Sequence, residues 1–124
     1  MAVLVTSCHG DIGKATMGGP VSFPTACAYN ESQIPSDGLI ASAGESVWVG
    51  GKACGSKYQL KCTAAISLGA CVNETIVVTI VDRALNLTSP LKNGCNLVLP
   101  NAVFHKIATQ GTELVNLEYT LLQT

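Results

Sequence analysis

One carboxylate stands apart among the side chains of this chain that can do chemistry. Asp82 follows the β-branched run Ile76 to Val81, which reads as a buried strand, so the acid sits where a strand ends. Such an acid can be structural, holding a turn or pairing with Arg83 or a lysine. It can instead face a groove, where apolar surroundings would suit it to proton transfer on a small apolar substrate without a cofactor. No serine, histidine and aspartate set accompanies it. His105 falls within a helical pattern and reads as a partly exposed helix residue, and His9 beside Cys8 reads as part of an amino-terminal segment. Trp48, the lone tryptophan, could stack a sugar or anchor the core.

The thiols point to a different chemistry. Six cysteines in 124 residues are many for a reducing compartment, and their even number suits disulfides. Zinc is disfavoured because no Cys-x-x-Cys pair occurs and the two histidines complete no four-ligand pattern. No metal and no cofactor are therefore expected. Which cysteine pairs with which is left open by count and spacing. Three sequons, at Asn30, Asn73 and Asn86, are acceptors for N-glycosylation and fit a secretory route. Met1 to Val5 has neither a basic start nor a full apolar core, so no signal peptide is read in this chain. Met1 reads as a start codon standing where a leader has been removed; the alternative is an intracellular protein.

Composition removes several functions. With 12% charged residues and a formal net charge of -1, the chain lacks the basic footprint that phosphate backbones require, and it offers no basic face to anionic lipid. No apolar run approaches the roughly 20 residues that span a bilayer. Nucleic acid and membrane insertion are both excluded as expectations.

The elements that must position these residues read mostly as β. Tyr58 to Cys62, Thr75 to Val81 and Leu114 to Leu121 have strand character; in the last, Val115, Leu117, Tyr119 and Leu121 share one face and Asn116, Glu118 and Thr120 the other. Asn101 to Ala108 places Val103, Phe104, Ile107 and Ala108 on one helical stripe, with Pro100 suited to its first turn. Leu39 to Ala43 reads as a second short helix. Gly50-Gly51 and Lys92-Asn93-Gly94 read as turns, giving a small closed sheet with two short helices.

The order of these elements resembles that of the plant natriuretic peptide-like proteins, relatives of expansin domain one and of the barrel endoglucanases. The resemblance runs from about Asp11 to Tyr119. It rests on Pro24-Thr25-Ala26-Cys27, on Cys54 to Cys62 with Cys71 and Val81-Asp82-Arg83, and on Asn101 to Ala108. It implies an all-β, six-stranded double-psi β-barrel over residues 11–124, with residues 1–10 as an amino-terminal segment tethered by Cys8. It also implies the pairs Cys27 with Cys54 and Cys62 with Cys71, leaving Cys8 for Cys95. Lys57 stands where expansins carry a further cysteine.

In glycan-acting relatives a groove across the barrel carries two acids and aromatic platforms. Asp82 matches the strand-end acid, whereas Val98 falls where the second carboxylate should be. Gly13-Lys14-Ala15-Thr16 matches the amino-terminal glycan motif, but Met17-Gly18 stands where the relatives are aromatic. Glycoside hydrolysis normally takes two carboxyl groups, so the chain is expected not to be a glycoside hydrolase. Thr16, Met17, Asp82, Val98 and Trp48 are the expected groove residues, the groove is expected to be apolar, and Glu45 and Asp37 are the acids that could have moved into it. The resulting expectation is a secreted, apoplastic, non-hydrolytic protein that binds a cell-wall polysaccharide, receptor or defence partner. The alternative is an isomerase or lyase acting on a small apolar ligand through Asp82.

Overall fold

The computed structural model of the protein describes residues 11–65, 71–84 and 96–123. Its strands are β1 (Asp11–Gly18), β2 (Ile40–Ala43), β3 (Lys57–Ala65), β4 (Thr75–Arg83), β5 (Leu97–Pro100) and β6 (Leu114–Gln123), with helices α1 (Glu45–Trp48) and α2 (Asn101–Phe104). The strands close into a six-stranded barrel in the order β1-β5-β2-β4-β3-β6, leaving no free edge. Two neighbouring pairs, β1 with β5 and β2 with β4, are parallel, while β3 is antiparallel to both β4 and β6. This is the double-psi β-barrel expected from the sequence.

Alternation explains the packing. Val115, Leu117 and Tyr119 of β6, Leu97 and Leu99 of β5, and Val78 and Ile80 of β4 point into one core. Each fully buried aliphatic chain contributes about 1.5–3 kcal/mol on leaving water. Leu121 continues the face of Tyr119, in unbroken register opposite Tyr58, but is half-exposed near the end of β6.

Two helix readings are corrected. Leu39 to Ala43 is not a helix, because Ile40–Ala43 forms β2, buried throughout between β4 and β5. Four small or branched residues carry no period, and pairing on both sides decides their conformation. The helix expected over Asn101 to Ala108 stops at Phe104, and Pro100 precedes it as the last residue of β5. Its stripe is nevertheless in place: Val103, Phe104, Ile107 and Ala108 are all buried. Strands β1 and β5 and helix α1 were not read from the sequence. Gly50 and Gly51 take positive φ at 64° and 95° and do form the expected turn.

Disulfides join Cys27 to Cys54 and Cys62 to Cys71, as the resemblance implied. Cys8, Cys95, His9, Asn86, the Lys92-Asn93-Gly94 turn and the amino-terminal segment lie outside the described residues. Asn30 and Asn73 are exposed.

Candidate functional site

The site is built on a single row of side chains crossing four strands. Thr16 of β1 is in register with Val98 of β5, Val98 with Ser42 of β2, and Ser42 with Asp82 of β4. Register partners share a face, and on β1, β5 and β2 this is the outer one, because Ala15, Leu97, Leu99, Ala41 and Ala43 turn inward.

On β4 the same alternation would fail. Val78 and Ile80 are core residues, so strict alternation would send Asp82 inward as well. A β-bulge prevents this: Ala41 pairs with Ile80 but Ser42 pairs with Asp82, leaving Val81 as an extra residue. Val81 is fully buried, and Asp82 is turned out beside Ser42. Re-aiming a side chain is a physical consequence of such bulges.

All four residues of the row line one open cleft of about 530 Å³, together with Met17, Gly18, Arg83 and Ala84. Its far wall is the loop between β1 and β2, which contributes Gly19 to Ser22, Pro24 and Ala26. Asp82 is the one carboxylate among the described residues lining it. The cleft is mixed in character: Thr16, Ser22, Ser42, Asp82 and Arg83 interrupt the apolar surface of Met17, Val21 and Val98, which corrects the expectation of an apolar groove.

The polar groups are partly committed. Thr16 is fully buried and its hydroxyl donates to the Glu113 carbonyl at 2.7 Å, so it forms floor and not an exposed hydroxyl. One oxygen of Asp82, Oδ1, accepts the Ala26 amide at 2.8 Å. Among the described residues the partner of Arg83 is Glu45 and not Asp82. The Arg83 guanidinium donates to Glu45 Oε2, at 2.7 Å from Nε, and lies 5.9 Å over the Trp48 ring.

Trp48 itself is removed from the expected groove set. It is only 9% exposed, packed in the core at the end of α1, and the cleft residue Arg83 lies over its ring. Glu45 is spent on Arg83 and Asp37 accepts the Leu39 amide at 2.9 Å; neither lines the cleft. His105 is half-buried at the end of α2, with Nδ1 3.0 Å from the Asn101 carbonyl. Among the described residues no group of three or more histidine, cysteine, aspartate or glutamate side chains could hold a metal ion.

Sequence reasoning missed Ser42, Arg83 and the whole loop wall. Ser42 lay in the segment misread as helix. The wall had a legible signal in Pro20, Pro24 and the neighbouring Gly18-Gly19, which break regular structure before Cys27.

Val98 and Gly18 are sterically linked. A Cβ on Gly18 would stand 2.7 Å from Val98 Cγ1, so the valine methyl occupies the space that a side chain at position 18 would need.

Residues 40–119 match the protein family described as lytic transglycolase, a double-psi barrel domain. Among curated proteins the chain is 35% identical over 102 residues to pollen allergen Lol p 1 of Lolium perenne, covering 82% of this chain and 36% of that one. It is 28% identical over 106 residues to putative expansin-B2 of Arabidopsis thaliana, covering 82% and 37%. The chain thus spans little more than a third of the length of these relatives. Among solved structures, an apo expansin of Clavibacter michiganensis superposes with a TM-score of 0.65 at 16% identity, over 90% of this chain and 50% of that one. A point mutant of that expansin in complex with cellohexaose gives 0.62 at 17%, with the same coverage.

Proposed function

We propose that this chain, which belongs to the expansin-like double-psi β-barrel family, binds a cell-wall polysaccharide in the cleft without hydrolysing it and acts outside the cell. The observation that carries this reading is the floor row Thr16, Val98, Ser42, Asp82 with a carboxylate at one end only. Strands are spaced by about 4.8 Å, so Val98 and Asp82, two spacings apart, are separated by roughly 10 Å along the row. That is near the upper end of the separation, roughly 6.5–9.5 Å, over which two carboxyl groups accommodate an attacking water. A valine there leaves Asp82 with no partner acid across the floor.

What remains suits binding. An open cleft in which the apolar surface of Met17, Val21 and Val98 is interspersed with Ser22, Ser42 and Asp82 matches a pyranose chain: apolar ring faces with hydroxyls at their edges. The cellohexaose held by the Clavibacter expansin supports a glucan as the first ligand to try. Six cysteines and three sequons support secretion to the wall.

Calorimetric titration with cellohexaose, paired with mass analysis of the oligosaccharide after long incubation, tests the proposal. We expect saturable binding and an unshortened chain. Shortened or anhydro-ended products that disappear in Asp82→Asn would overturn the non-catalytic part. Binding to small apolar metabolites but to no oligosaccharide would overturn the ligand class and favour acid–base chemistry at Asp82.

A further inference from the structure

The loop wall of the cleft is anchored to β4 at two places. At the first, Asp82 Oδ1 accepts the Ala26 amide. At the second, the Cys27–Cys54 disulfide joins the loop to residues 54–56, where the Gly55 amide donates to the Ile80 carbonyl at 2.9 Å and the Ile80 amide to the Ser56 carbonyl at 2.9 Å. These links close a ring through Asp82, Ala26, Cys27, Cys54, Gly55 and Ile80. One side of the ring is the bulged segment that turns Asp82 outward.

The turn presented to Asp82 is otherwise self-contained. The Ala28 amide donates to the Thr25 carbonyl at 2.8 Å, and the Cys27 and Tyr29 amides both reach Thr25 Oγ1 at 3.2 Å. Of the four amides from Ala26 to Tyr29, only that of Ala26 is directed out of the turn, and the carboxylate receives it. Ala26 is exposed, so the bond is not enforced by burial.

From this geometry we infer that Asp82 is a positioning residue for glycan binding: its Oδ1 holds the loop wall in place over the floor, leaving Oδ2 for the ligand. The inference rests on the binding function proposed above and specifies how the cleft is held ready for it. Preorganising the wall in this way removes the cost of ordering the loop when ligand enters. It also separates the two oxygens of one carboxylate, so that removing the acid has two effects, of which only one is a lost ligand contact.

Ala26→Pro isolates the wall from the contact. Ala26 is the second residue of the Thr25–Ala28 turn, a position that proline favours, and proline replaces the amide proton that Asp82 accepts with a ring methylene. The experiment compares wild type, Asp82→Ala, Asp82→Asn and Ala26→Pro by cellohexaose titration, and measures amide hydrogen exchange of Ala26 in the chains that have that amide. We expect the Ala26 amide to exchange about ten-fold or more faster in Asp82→Ala, and affinity to fall about ten-fold in Ala26→Pro and further in Asp82→Ala, which also loses the Oδ2 contact. Combining these two should cost little beyond Asp82→Ala alone, because both break the same wall bond. Asp82→Asn, which keeps an acceptor oxygen, should recover most of the exchange protection and of the affinity.

Wild-type affinity in Ala26→Pro, with affinity lost in both Asp82 variants, would overturn the inference and make Asp82 a direct ligand contact only. If wild type fails to bind cellohexaose, the proposed function falls. The exchange measurement still decides the positioning role, since unchanged Ala26 protection in Asp82→Ala would refute it. Should Asp82→Ala not fold, Ala26→Pro and Asp82→Asn carry the same test.

Discussion

The two sides of this barrel are built to different rules. On one side β3 and β6 pair antiparallel along most of their lengths, with Leu60, Val115, Leu117 and Tyr119 inward and Gln59, Lys61, Asn116, Glu118 and Thr120 outward. On the other side β5 and β2 have four residues each, the neighbouring pairs are parallel, and a bulge interrupts β4. The side built on β3 and β6 has the longer pairing, whose register shifts fall between Lys57 and Tyr58 and between Cys62 and Ala64. The irregular side is recessed, walled by a loop stapled from elsewhere, and carries the cleft. Long antiparallel pairing supplies the stable frame, and the interrupted side has the freedom to aim polar groups outward.

The largest expected effect tests the frame. Leu60 is fully buried on β3, and Leu60→Ala should cost about 3–5 kcal/mol in chemical denaturation. A loss under about 1 kcal/mol would mean the regular side does not carry the stability assigned to it. Replacing both Cys27 and Cys54 with serine comes next, at about 3–4 kcal/mol for releasing a chain separation of 27 residues. Because this disulfide also holds the cleft wall, its removal should weaken cellohexaose binding measured well below the melting point. Undiminished binding would separate the wall from the site.

The smallest effects come from two glycines on the same strand. Gly13 lies against Asn96 and Tyr119 on the framed side, and Asn96 is fixed by the Lys14 amide at 2.8 Å and by Ser46 at 2.7 Å. Gly13→Ala should therefore cost about 1–3 kcal/mol, since its neighbours cannot give way. Among the described residues Gly18 meets only the end of the partly buried Val98 side chain. Gly18→Ala should cost less than about 1 kcal/mol, with Val98→Ala relieving it, because a surface methyl can move aside. Equal losses at the two glycines, read from paired thermal melts, would erase the distinction between the sides.

Much of this molecule was legible along the chain. Strand character over Thr75 to Val81 and Leu114 to Leu121 follows from alternation and β-branching, which act within a few residues. The buried stripe after Pro100 follows from helical spacing, even though α2 itself is only four residues long. The acid at the end of β4 was legible from the strand before it, the valine at position 98 only through the family resemblance, and they do lie on one floor.

What the chain could not reveal depended on partners far away in sequence. Ile40–Ala43 is a strand because β4 and β5 bracket it, not because its four residues prefer one. Trp48 lies in the core because the barrel closes over α1, leaving Arg83 to stand between it and the cleft. The outward aim of Asp82 follows from a bulge, which is a property of a strand pair and so has no meaning in a single strand. Its bond to Ala26 joins residues 56 positions apart. Local propensity and periodicity let the sequence by itself determine the elements and the chemistry available to them. Register and closure are relations between strands, and only the tertiary structure decided which side chains share a face and which loop amide Asp82 receives.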